Sequence, residues 1–221
     1  MLFAGCTAFG GPITEFGDFL DWANVRGDYA QMRPFSNFLP ALKRLGHAFG
    51  FMILAVLAEE YTPKNEVYDD AANLEQYSFG TRFYMLSMTT AWTIIKLIFV
   101  FLVQESCLVA SGLGYKAKTE KESEDFNSMR CAKVFDCVFA TEPAGIVANW
   151  NMRTQYWLKY YVMIPLLDRS KPKNATQIFP VFITFLTSAL WHGFYFGYYG
   201  TFIGFALAVV MWKMFGATKL A

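Results

Sequence analysis

The longest uncharged segment of the chain constrains its fold more than any other feature. Residues 177–199 contain no Asp, Glu, Lys or Arg, and most of their side chains are apolar. About 20 such residues are what an α-helix needs to cross the hydrocarbon core of a bilayer. We therefore predict that this segment is one membrane helix and that the protein is solvated largely by lipid.

Composition and two further apolar blocks extend this prediction to the whole chain. Hydrophobic residues make up 55% of the 221 positions and charged residues 17%, compared with roughly 45–50% and about 25% in soluble proteins. Apolar blocks also occupy residues 39–58 and 83–103, and a shorter one occupies 201–211. Because backbone polar groups in lipid must be satisfied within the segment, we predict an all-α fold, a polytopic transmembrane helix bundle.

Two segments outside these blocks predict amphipathic helices that lie at the membrane interface. Residues 15–28 interleave acidic side chains with aromatic and aliphatic ones, a pattern typical of interfacial helices. In residues 150–163, four positions spaced for one helical face carry mostly aromatic side chains. They are Trp150, Thr154, Trp157 and Tyr161.

Charges are distributed unequally among the predicted loops. Basic residues concentrate between positions 116 and 173, whereas acidic residues dominate the loop at 59–75. By the positive-inside rule the basic region is cytosolic. We therefore expect a cytosolic loop at 116–149 within a single membrane-embedded domain of residues 1–221. The net charge of +1 gives no basic surface for nucleic acid.

One ionisable side chain, His192, lies within the uncharged segment. An ionisable group at membrane depth is costly unless it faces a partner or a wet cavity, so His192 is a functional-site hypothesis. The alternative is a neutral imidazole that only bonds a neighbouring helix. A neutral imidazole can accept a proton, which makes His192 a candidate general base.

Ser188 lies four residues before His192 on the same helical face and could be a nucleophile that the imidazole activates. The chain has no Gly-x-Ser-x-Gly elbow and no obvious buried acid to orient the ring, which argues against it. The residues fit better with direct transfer, in which an alcohol deprotonated by His192 attacks a thioester while a buried amide supports the oxyanion. The four cysteines and two histidines lack the spacing of metal ligands, so we predict no metal site.

Three short motifs follow one another along the chain. The first is Gly11-Pro12-Ile13-Thr14-Glu15-Phe16, the second is Trp150-Asn151 followed by Thr154 and Trp157-Leu158-Lys159, and the third is Trp191-His192-Gly193. Together they resemble the membrane-bound O-acyltransferase family, and specifically its lysophospholipid acyltransferase branch. The three motifs occur in the family's order and cover most of the chain.

The resemblance implies a catalytic pair in which His192 is the base and Asn151 orients substrate or assists the oxyanion. It implies transfer of a fatty acyl chain from acyl-CoA, a co-substrate and not a bound cofactor, to the free hydroxyl of a lysophospholipid in the endoplasmic reticulum membrane. Arg153 and Lys159 are expected to meet the coenzyme A phosphates or else to reach lipid headgroups. The other predicted substrate contacts are Trp150, Thr154, Trp157, Ser188 and Trp191.

The chain departs from the family pattern in two respects. Family members are longer, so we expect residues 1–221 to be part of a larger protein, incomplete at both ends and not necessarily active alone. Related sequences continue Trp-Leu-Lys into Val-Tyr-x-Arg, whereas this chain has Val162-Met163-Ile164-Pro165 in that place. The role of the family's arginine is therefore not assigned to a residue of this chain.

Two alternatives remain open at this point. One is acyl transfer to another alcohol, such as a sterol, diacylglycerol, a polysaccharide or a protein. The Trp-Asn-x-x-Thr-x-x-Trp-Leu-Lys pattern favours a lysophospholipid as the acceptor over these other alcohols. The other is a polytopic transporter, channel or scaffold without catalysis, although the chain lacks the paired interrupted helices in related halves that transporters often carry.

Overall fold

Helices dominate the chain. The computed structural model describes residues 13–64, 67–68, 71–119, 125–169 and 178–217, and the predicted all-α class is confirmed. Within these ranges the extended pairing is a single antiparallel bridge between Lys116 and Asp125. The helices in chain order are α1 (Phe16–Ala23), α2 (Phe38–Glu59), α3 (Ala71–Glu75), α4 (Phe79–Ala110), α5 (Val134–Val138), α6 (Pro143–Asn149), α7 (Met152–Leu158), α8 (Ile164–Arg169), α9 (Ile178–His192) and α10 (Phe196–Ala217).

Three of the described helices, α2, α4 and α10, are long and apolar enough to cross a bilayer. Each extends its predicted apolar block in both directions. Large apolar side chains on them are exposed, for example Leu57 at 62% and Phe215 at 64%. Lipid solvates such side chains, so the chain is that of an integral membrane protein.

The chain divides into two compact units. Gly17–Met129 forms one of them and contains α2 and α4, whereas Met1–Phe16 and Arg130–Ala221 form the other. The second unit carries every residue that the sequence predicts for the functional site. We call it the site unit.

In the unit Gly17–Met129, α2 and α4 pack through small residues and hydrogen bonds. Ala41, Ala48 and Ala55 form a buried stripe along α2, and small residues let helix backbones approach closely in lipid. Ser106 Oγ donates to the carbonyl of Ala41 at 2.9 Å, and Trp92 Nε1 donates to that of Ala55 at 3.0 Å. These bonds fix the register of the two helices.

The same pair of helices also holds a partly buried ion pair. Arg44 Nε lies 3.1 Å from Glu105 Oε2, and Arg44 Nη2 donates to the carbonyl of Phe126 at 2.9 Å and to Asn127 Oδ1 at 2.7 Å. The planar guanidinium suits this role because it bonds several acceptors at once. Arg44 thus joins the two helices to the loop at 126–127.

In the site unit, the segment predicted as one membrane helix is broken, so that prediction is wrong. Helix α9 ends at His192 and α10 begins at Phe196, while Gln177 lies outside the described residues. The break occurs because Gly193 has φ of 119°, a backbone angle that other residues rarely adopt. Its N–H donates to the carbonyls of Ala189 and Leu190, both at 3.2 Å, and so closes the helix.

Helices α9 and α10 then fold back on one another. Val181 of α9 and Ala206 and Val210 of α10 form a buried cluster, against which Phe182 and Phe185 pack. The segment 116–149 contains α5 and α6, and its cytosolic position stays a prediction. The chain thus places His192 at the turn between two packed helices, not in the middle of one.

Candidate active site

Asn151 lies where an extended segment turns into a helix. Trp150 has extended backbone angles, φ −110° and ψ 129°, and Asn151 is left-handed, with φ 46° and ψ 52°. The helix predicted to include Trp150 therefore begins two residues later, at Met152. Asparagine tolerates the left-handed region better than most residues do. Its carboxamide makes no capping bond to α7.

Backbone hydrogen bonds hold this turn on both sides. Met152 N donates to the carbonyl of Cys131 at 2.7 Å, and Lys133 N donates to that of Asn149 at 3.0 Å. These bonds pair residues 131–133 with residues 149–152. The strained conformation of Asn151 is therefore fixed by neighbouring structure.

The first sequence motif contacts the second. Arg153 Nε donates to the carbonyl of Ile13 at 3.1 Å, and Tyr161 OH donates to Glu15 Oε2 at 2.7 Å. The Glu15 carboxylate that accepts this bond raises the pKa of Tyr161, so the phenol stays protonated as a donor. Glu15 thereby ties the segment at 13–16 to the helix that follows Asn151.

Downstream of α7 the helix widens into a π-helical turn at Lys159–Met163 before it continues as α8. Such turns occur frequently at functional sites. Trp157 and Tyr161 stack across it, with ring centroids 6.4 Å apart and planes inclined by 24°. The prediction that these two rings share a face is confirmed, and the hydroxyl-bearing Thr154 is buried one turn before them.

Both predicted cations of the second motif lie over aromatic rings. Arg153 Cζ lies 5.2 Å from the ring centroid of Tyr156, and Lys159 Nζ lies 5.6 Å from that of Tyr160. Arg153 is half-buried and Lys159 is exposed. An exposed Lys159 keeps its ammonium accessible to an anion, so its predicted contact with phosphate stays a prediction.

Aromatic rings surround the imidazole of His192. Its ring centroid lies 4.8 Å from that of Trp191, 5.4 Å from that of Tyr198 and 4.9 Å from that of Phe202. Tyr198 and Phe202 were not among the predicted site residues. Their i, i+4 spacing, on the helix that follows Trp-His-Gly, could have indicated them. The imidazole is exposed and can be reached by a ligand.

Helix α9 packs against α7 and against the π-helical turn. The elements that carry Asn151 and His192 are therefore neighbours within the site unit. Ser188 is buried one turn before His192, but in the described part of the chain no hydrogen bond joins the two side chains. The described residues also include no group of three side chains able to hold a metal ion.

Replacing Gly193 with alanine is expected to lower the free energy of unfolding by about 1–2 kcal/mol, because φ of 119° is strained for any residue with a Cβ. A Cβ at this position would meet no atom within 4 Å, so backbone strain is the whole effect. Thermal unfolding in detergent measures the change.

Gly200, which also lies in open space but inside α10, provides the control, since Gly200→Ala should stabilise the helix. Equal unfolding midpoints for Gly193→Ala and the wild type would contradict the strain.

Comparison with known proteins places the sequence in a family. The family model for the membrane-bound O-acyltransferase family matches residues 1–218. The chain is 26% identical over 210 residues to "Lysophospholipid acyltransferase 1" of Arabidopsis thaliana, covering 91% of this chain and 44% of the relative. It is 28% identical over 228 residues to "Lysophospholipid acyltransferase" of Saccharomyces cerevisiae, covering 95% of this chain and 36% of the relative.

A third relative is "Lysophospholipid acyltransferase 5" of Drosophila melanogaster, 26% identical over 192 residues, which cover 87% of this chain and 36% of the relative. The chain thus spans less than half the length of these relatives. Because the family match extends over nearly every residue and includes all three motifs, the chain belongs to the membrane-bound O-acyltransferase family.

Proposed function

We propose that the protein transfers a fatty acyl chain from acyl-CoA to the free hydroxyl of a lysophospholipid. The observation that carries the proposal is the packing of all three motifs into one unit, with the first motif bonded to the second and the helix of the third packed against it. The names of the relatives support the choice of acceptor. The membrane would be that of the endoplasmic reticulum.

In this proposal His192 accepts the proton of the acceptor hydroxyl as general base. The oxygen attacks the thioester carbonyl, the new carbon–oxygen bond forms, and the carbon–sulfur bond then breaks. The leaving thiolate takes the proton back from the imidazolium, so the protein ends unchanged and carries no acyl group. The rings of Tyr198 and Phe202 hold the imidazole in place.

Asn151 assists at the carbonyl. The left-handed backbone of this residue presents the carboxamide outside the helix, and an amide N–H can stabilise the oxyanion that develops on the thioester. Arg153 and Lys159 serve the phosphates of coenzyme A. The remaining substrate contacts come from Trp150, Thr154, Trp157, Ser188 and Trp191.

A panel of acceptors tests the proposal. Membranes from cells that express the full-length protein are supplied with labelled acyl-CoA and, in turn, with lysophospholipids of several headgroups, a sterol, diacylglycerol, a polysaccharide and an acceptor peptide. We expect label in a diacyl phospholipid and a rate at least tenfold above that with the other alcohols. Label only in another product would assign a different acceptor within the family. No label in any product would favour a polytopic protein without catalysis.

A further inference from the structure

Two buried hydroxyls in the site unit have no hydrogen-bond partner. Thr14 is 3% exposed and Thr154 is 4% exposed, and the Oγ1 atoms of both are unbonded among the described residues. Most buried polar groups in proteins are satisfied, so each exception calls for an explanation. The described part of the site unit has two such exceptions, one in the first motif and one in the second.

Several threonines in the described helices bond the carbonyl four residues earlier, at 2.7–3.0 Å. They are Thr89, Thr90, Thr93, Thr184 and Thr187. Thr154 is the third residue of α7, so the residue four positions earlier is Trp150, whose backbone is extended. The left-handed turn at Asn151 thus leaves the Thr154 hydroxyl without this bond.

The hydrogen bond from Arg153 Nε to the carbonyl of Ile13 joins the residues next to the two threonines. Thr14 and Thr154 therefore belong to one junction between the first motif and α7. The hydroxyls of Thr14 and Thr154 carry no charge, so they suit a neutral hydrogen-bonding ligand.

We propose that the hydroxyls of Thr14 and Thr154 bind the carbonyl oxygen of an acyl ester of the substrate. This inference rests on the proposed function, and it adds the chemical group of the substrate that the two hydroxyls bind. A hydroxyl donates one hydrogen bond, which an ester carbonyl can accept. That carbonyl belongs either to the acyl chain already on the lysophospholipid or to the donor thioester, the group that the proposed function assigns to Asn151, three residues before Thr154.

The test compares Thr14→Val and Thr154→Val with the wild type, because valine has nearly the shape of threonine without its hydroxyl. Full-length protein in membranes is assayed with a 1-acyl lysophospholipid and with its 1-alkyl ether analogue, matched in headgroup and chain length. If the acceptor ester is bound, each variant lowers kcat/KM for the acyl acceptor about 3- to 10-fold and leaves the ether unchanged. If the donor thioester is bound, both acceptors lose activity equally.

The unfolding midpoint separates binding from a structural role. Both proposed outcomes require that Thr14→Val and Thr154→Val unfold at or above the wild-type temperature, since neither hydroxyl makes a bond that stabilises the protein. Thr184→Val is the matched control, because it removes a hydroxyl that bonds the carbonyl of Pro180 at 2.7 Å. If the unfolding midpoints of Thr14→Val and Thr154→Val both fall as that of Thr184→Val does, the two hydroxyls bond internal water and stabilise the fold. That result would overturn the inference.

Unchanged kinetics in both variants would also overturn it. That result differs from a failure of the proposed function, in which the wild-type protein itself transfers no acyl group to any lysophospholipid. If the wild type is active and both variants have the wild-type kinetics, only the proposed carbonyl site is refuted, and the proposed function stands.

Discussion

Replacing His192 with alanine is expected to abolish measurable acyl transfer while the full-length protein accumulates normally. A positioned general base contributes roughly 10²- to 10⁴-fold to a rate, and the proposed reaction has no second base among the residues assigned to it. The side chain is exposed, so its removal leaves no buried cavity. Initial rates with labelled acyl-CoA, normalised to protein abundance by immunoblot, measure the loss.

Two further variants refine this test. His192→Phe keeps an aromatic ring against Tyr198 and Phe202 but cannot accept a proton, so it should be as inactive as alanine. His47→Ala removes the exposed imidazole of α2 and should retain the wild-type rate. An active His192→Phe would show that the ring of His192 only packs and that another group is the general base.

Removing the carboxamide of Asn151 is expected to lower kcat by about 10²- to 10³-fold, the usual effect of deleting one oxyanion donor. The left-handed backbone at this position complicates alanine, which adds about 1–2 kcal/mol of strain. Glycine adopts φ of 46° freely. Asn151→Gly therefore deletes the side chain without that strain, and steady-state kinetics together with an unfolding midpoint separate the two effects.

The comparison of the two variants decides what the asparagine does. Both Asn151→Gly and Asn151→Ala should lose activity, and only Asn151→Ala should also lose stability. If Asn151→Gly kept the wild-type kcat, the residue would serve the backbone turn alone. The assignment of its carboxamide to the carbonyl would then be wrong.

The apolar blocks predicted the fold class because the length of an uncharged segment determines whether a helix can cross lipid. They could not predict the break after His192, since residues 177–199 carry no charge and the break depends on the backbone of Gly193. The start of α7 was misplaced for a related reason. The periodicity of Trp150, Thr154 and Trp157 is helical, but the left-handed turn at Asn151 excludes Trp150 from the helix.

The candidate site was predictable in its residues more than in its geometry. The apolar surroundings of His192 indicated it as a candidate base, and the family resemblance indicated Asn151, but the catalytic roles of both stay predictions. Contacts between distant segments, such as Glu15 with Tyr161, have no local periodicity and could not be derived from the sequence. The burial of the unbonded Thr14 hydroxyl is likewise a product of the fold and has no signal in the local sequence.

The end of α9 at His192 has a consequence for the surroundings of the imidazole. The last carbonyls of a helix have no partner within the helix, and at membrane depth such groups must be satisfied by protein or by a water-filled cavity. Because α9 ends at His192 and α10 begins only at Phe196, the polar surroundings that the helix end requires would also solvate an acceptor hydroxyl beside the imidazole.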